Sequence, residues 1–146
     1  MKVERLRGGL VGTPSPGAFA PAVTVAPATA VITVSPGEAF SGGYAETYHA
    51  DDSVTFSASV PGQAAAGHTT QAVAGTFAAA SGVIAAQGRA VQRKVDPKTV
   101  YCPDYGVDAV QADPPIAGFS GVATGCANAD VTGLIDAIHA AVAALP

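Results

Sequence analysis

Apolar and polar residues alternate most cleanly in "SVTFSASV". Val54, Phe56, Ala58 and Val60 fall on one side, and Ser53, Thr55, Ser57 and Ser59 on the other. That period of two predicts a half-buried strand. Upstream, "AVTVAPATAVITV" is rich in β-branched residues, with Val23, Val25, Val31, Ile32 and Val34. Pro27 interrupts it, which predicts two short strands or an edge strand with a bulge, ended by the turn residues of "SPGE". The period changes at the C-terminus. Val131, Leu134, Ile135, Ile138, Val142 and Leu145 recur at spacings of three and four. They predict a helix over about 130–145 with Asp130 as its cap.

Two stretches are less regular. In "TTQAVAGTFAAASGVIAAQGRAVQ" alanine favours helix, whereas Gly75, Gly82 and Gly88 and the intervening Val, Thr and Phe favour extended chain. Two or three short strands are expected there. "KVDPKTVYCPDYGVDAVQADPPIAGFSG", with Pro97, Pro103, Pro114 and Pro115, reads as mostly loop with short extended pieces. Residues 1–21 have charge at the tip and Pro14, Pro16 and Pro21 behind it, the pattern of an extended arm. The fold class expected is mainly β, a small sandwich or barrel, with one C-terminal helix and an N-terminal arm. The domains are the arm at 1–21 and one body at 22–146.

Composition refines this picture. A chain of 146 residues fits one domain, and much of its 49% apolar content is alanine, so the core is thin. Aromatics are 6% and tryptophan is absent, which disfavours a broad stacking surface for bases or sugars. The seven basic residues fall in two segments: Lys2, Arg5 and Arg7, then Arg89, Arg93, Lys94 and Lys98. The rest of the chain carries only acidic charge, including Glu46, Asp51 and Asp52. Segregated charge of this kind suits contacts between copies, and these ten residues are the candidate interface set. A net charge of −4 argues against nucleic acid as a partner.

Neither a secretory h-region nor an apolar run long enough to span a membrane is found, so synthesis in the cytoplasm without signal-directed export is expected. Cys102 and Cys126 fit a disulfide or two thiols, and that compartment favours thiols.

Candidate chemistry centres on "YAETYHADD". His49-Ala50-Asp51 matches half of a two-histidine, one-carboxylate metal site, with His68 or His139 as the third ligand. Parity opposes it, because His49 and Asp51 share the polar side with Ser53 and Thr55 on an uninterrupted strand. The even positions Tyr44, Glu46, Tyr48, Ala50 and Asp52 are polar as well, which suggests a strand leaving the core. His139, three residues after Asp136, reads as a helix-flank residue. The chain holds no nucleophile elbow and no phosphate loop, and Asp104, Asp108 and Asp113 fit no calcium loop. No catalytic residue, metal or cofactor is assigned.

With "MKVERLRGGLVGTPSPGAF" as arm and "VTVAPATAVITV" and "SVTFSASV" as body, the chain resembles the small accessory proteins of tailed-bacteriophage virions, of the capsid-decoration or neck type. The resemblance implies a non-catalytic structural subunit that works as an oligomer or on a larger lattice, binding copies of itself and a capsid or tail. The alternatives are a small metal-dependent enzyme using the His-x-Asp site, and a surface binding module.

Overall fold

A computed structural model describes residues 26–36, 43–59, 66–95, 102 and 106–146. The arm at 1–21, with Lys2, Arg5 and Arg7, lies outside the described residues, as does Lys98. Six strands form one antiparallel sheet: β1 (Val31–Ser35), β2 (Gly43–His49), β3 (Ser53–Ser59), β4 (Ala66–Gln71), β5 (Asp108–Ile116) and β6 (Phe119–Thr124). Their spatial order is β4-β3-β2-β1-β5-β6. Between β4 and β5 runs a helix, α1, built of Thr76–Val83, a wider π-helical turn at Ile84–Gly88, and Arg89–Lys94. The last element is α2 (Ala129–Ala143).

The mainly-β class with a C-terminal helix is what the sheet and α2 show, and the layer packed against the sheet is helical. Ile32, Val34, Tyr48, Val54, Val110, Ala112 and Val122 point from the sheet into the core. There they meet Phe77, Ala80, Ile84 and Val91 of α1 and Val131, Leu134, Ile135 and Ile138 of α2. The strand expected at 53–59 is present, with Val54 buried and Ser53 and Thr55 on the opposite face, while Ala58, on the Val54 side, is exposed.

Several expectations are corrected. Residues 76–94 are helical, not two or three short strands. Phe77, Ala80, Ile84, Gly88, Val91 and Val95 are all buried, three or four residues apart, so one stripe of α1 faces the core and outweighs the glycines. A Cβ at Gly88 would stand 2.9 Å from the ring of buried Phe119, so glycine there permits close helix-to-strand contact.

Residues 108–124 are a hairpin, not a loop. Ala117 (φ 48) and Gly118 (φ 82) form its two-residue turn with Ile116 opposite Phe119, the backbone signature that matches strand twist. Pro114 and Pro115 are tolerated because β1 pairs with β5 only as far as Asp113, and the β5–β6 register shifts between Gln111 and Ile116.

The third correction concerns 44–52. This stretch is a strand of its own, β2, followed by a turn, and not the fraying end of β3. Asp52 holds φ 66 in that turn, a left-handed conformation that aspartate tolerates better than most residues. The cap of α2 also differs: Asn128, not Asp130, accepts the backbone N–H groups of Asp130 (3.0 Å) and Val131 (3.1 Å).

Of the two states open to Cys102 and Cys126, the structure holds the disulfide rather than the favoured thiols. Cys102 and Cys126 are joined, closing a loop around the β5–β6 hairpin. No helix among the described residues is long and apolar enough to cross a membrane.

Candidate functional site

The carboxylates of "YAETYHADD" separate in space. Strand pairing opposes Glu46 to Val34 and Phe56, which places it on the helix-facing side of the sheet. Its Oε1 accepts the Tyr48 hydroxyl at 2.8 Å and lies 2.9 Å from His139 Nε2, while Oε2 accepts the Tyr44 hydroxyl at 3.1 Å. Only 14% of the Glu46 side chain is exposed, against 40% for His139. Burial, followed by the Glu46 carboxylate, pushes the Tyr48 phenol well above its ordinary range, and the same causes raise Tyr44.

Asp52 turns the other way along the chain. Its two carboxylate oxygens accept the backbone N–H groups of Gly75 (3.0 Å) and Phe77 (2.8 Å). It therefore caps the start of α1 from a distant turn, supplying an acceptor to a helix whose own Gly75 has no side chain to do so. Asp51 is the exposed member of the three. Its Oδ1 accepts both the hydroxyl (2.6 Å) and the N–H (2.9 Å) of Ser53, and these bonds, the hydroxyl first, hold its carboxyl below the usual range.

The three histidines lie apart. His49 Nε2 is 2.8 Å from Thr55 Oγ1 on the helix-free face, while His68 stacks on Phe56 on the opposite face, ring centroids 5.4 Å apart. His139 belongs to Glu46. The alternative set of His49, Asp51 and a second histidine is thus not brought together, and no group of three metal-ligating side chains converges among the described residues. Asp108 is buried at the start of β5 while Asp113 is exposed near its end.

Of the basic candidates, Arg89, Arg93 and Lys94 are exposed on the last part of α1. Arg89 lies against the Gly118 turn, and Lys94 forms a long ion pair with Asp130 at 3.7 Å. Such an exposed pair adds little stability.

Two cavities border these features. A groove of about 250 Å³ beside Glu46 and His139 is floored by Val54, Phe56 and Ala72 and walled by Val142. A second, of about 360 Å³, lies between Phe77, Ala30, Ile116 and the prolines 114 and 115, and none of its described lining residues is ionisable. Glu46 already receives three partners, and Thr70 and Thr76 line the same groove as His139. The arrangement ties α2 to the sheet.

The sheet itself has unequal edges. All six residues of β4 are exposed, and "AGHTTQ" carries no lysine, proline or carboxylate. Among the described residues its only strand neighbour is β3. At the opposite edge, the Gln92 side chain of α1 accepts the N–H groups of Ser120 (3.0 Å) and Gly121 (3.1 Å) of β6. Cys102 donates its N–H to the Gly125 carbonyl at 3.2 Å and is bonded to Cys126. On the helix-free face four threonines, Thr33, Thr47, Thr55 and Thr69, stand directly opposite one another across β1 to β4. Thr55 and Thr69 share a hydrogen bond at 2.8 Å.

The strand edge and the threonine rank are invisible in the linear pattern, since both follow from pairing order. The Glu46 cluster joins positions 93 apart. In comparisons with family models, curated proteins and solved structures, nothing matches this chain.

Proposed function

We propose that the protein is a non-catalytic structural subunit that works by associating through its sheet, as an oligomer or as part of a larger lattice. The observation that carries this reading is the β4 edge: six exposed residues at the end of a six-stranded sheet, with no further strand beside them among the described residues. Edges of this length are ordinarily blunted by charge, proline, a bulge or a covering element, because unpaired N–H and C=O groups template further pairing. β4 has no such residue, and its pairing with β3 runs without a shift.

The candidate chemical groups are committed to internal bonds, which fits a structural role: Glu46 to two tyrosines and a histidine, and Asp52 to the start of α1. The assembly that the sequence resemblance implies is a virion. The Cys102–Cys126 disulfide accords with a working place outside a reducing cytoplasm.

Sedimentation of the full chain over a range of concentrations tests the reading. Reversible association is expected. A monomer at every concentration, in a protein that remains folded, would overturn it.

A further inference from the structure

Resting on the assembly reading, we infer that the partner at β4 is a second copy of this chain, joined β4 to β4 about a twofold axis with Thr69 opposite Thr69 of the other copy. Three observations lead there.

The first is the inequality of the edges. A chain with two open edges would add copies without end, whereas here β6 is engaged by the Gln92 side chain of α1 at Ser120 and Gly121. Among the described residues β4 is the one sheet edge without such cover; one such edge per chain permits a single pairing, and two identical edges satisfy each other antiparallel about a twofold axis. Association through this edge therefore closes at two copies and yields one continuous twelve-stranded sheet with the helices of both copies on the same side.

The second is composition. β4 holds no lysine, arginine, aspartate or glutamate, so two copies approach without like charges opposed. Arg89, Arg93 and Lys94 lie on α1, which packs against β6 at the other end of the sheet.

The third fixes register. Pairing centred on His68 would set the two imidazoles against each other. Centring on Thr69 places His68 against Thr70 and Gly67 against Gln71, and extends the threonine rank of β1 to β4 into the other copy. Threonine pairs are among the favourable cross-strand neighbours, and the Thr55–Thr69 hydroxyl bond shows the spacing already in use. Gly67 belongs to this design from the other side, since a Cβ there would stand 2.8 Å from the Phe56 carbonyl oxygen of β3.

Cysteine cross-linking distinguishes this proposal from the broader one. Thr69→Cys is an exposed substitution, and Ala123→Cys on β6 is a control that is also exposed. Under mild oxidation, Thr69→Cys is expected to give a disulfide-linked dimer about tenfold faster than Ala123→Cys, and Thr69→Lys to weaken the wild-type dimer at least about tenfold, as edge lysines do. If the chain dimerises but Thr69→Cys links no faster than the control, the β4 pairing is wrong and the assembly reading stands. A chain that stays monomeric overturns both.

Discussion

His139 on the last helix and Glu46 on the second strand meet at 2.9 Å across 93 positions of chain, and the same Glu46 oxygen accepts the hydroxyl of buried Tyr48. Glu46 is the shared acceptor. Replacing it with alanine removes the acceptor of the buried Tyr48 hydroxyl, at an expected cost of about 1 to 3 kcal/mol. His139→Ala, which removes a more exposed partner, should cost about 1 kcal/mol or less. Urea unfolding of both variants gives the comparison. A Glu46→Ala midpoint equal to that of wild type would show that the cluster does not hold α2 to the sheet.

Alkaline pH probes the same cluster from the tyrosine side. The Tyr48 pKa is raised above its unfolded value by burial and by the carboxylate, and Tyr44 is raised likewise. The folded state therefore holds these protons more tightly than the unfolded state does. The stability they confer is complete below the unfolded tyrosine pKa of about 10 and is lost as pH rises beyond it. A phenolate absorbance titration should show a late-ionising fraction that shrinks in Tyr48→Phe. Simultaneous ionisation of every tyrosine in the folded protein would refute this.

Asp52 does two things at once. It holds a left-handed backbone conformation and accepts two N–H groups at the start of α1. Asp52→Ala loses the cap and adds backbone strain, for an expected loss of about 2 kcal/mol. Asp52→Gly relieves the strain without restoring the cap and should fall between alanine and wild type. Thermal unfolding followed by circular dichroism ranks the three, and an alanine variant as stable as the glycine one would show that the strain contributes nothing.

The Cys102–Cys126 bond closes a loop with a sequence separation of 24. In the chain-entropy view, a closure of that length stabilises the fold by about 3 kcal/mol. The double variant Cys102→Ser, Cys126→Ser should lose that amount, and added reductant should lower the Tm of wild type but not of the variant. Equal Tm values with and without reductant in the wild type would contradict this role.

Local pattern makes some elements plain and hides others. The apolar stripe of α2 and the parity of β3 are properties of short windows, and both appear where the window places them. α1 carries an equally regular stripe from Phe77 to Val95, but Gly82 and Gly88 mask it. A Cβ at Gly82 would meet nothing within 4 Å, whereas Gly88 is needed against Phe119. β5 alternates buried Asp108, Val110 and Ala112 with more open Ala109, Gln111 and Asp113, yet Pro114 and Pro115 give the whole segment the look of a loop. The Glu46 cluster and the Asp52 cap depend on which elements lie side by side, and no window of sequence contains that information. Asn128 is different: it stands just ahead of the apolar stripe of α2, in plain view, and two residues later Asp130 offers an equally good capping side chain.

The position of β1 in the sheet also governs the order in which the molecule is made. Its first neighbour, β2, follows within a few residues, but its second, β5, pairs Asp113 with Val31 and leaves the ribosome only after α1. During synthesis the four-stranded meander of β1 to β4 therefore waits with β1, "VITVS", lacking its second neighbour. Translation adds on the order of ten residues per second, so β1 lacks it for several seconds. The nascent chain is most vulnerable to mispairing in that interval, and slowing elongation between β4 and β5 should lower the yield of native protein without altering the stability of the molecules that finish.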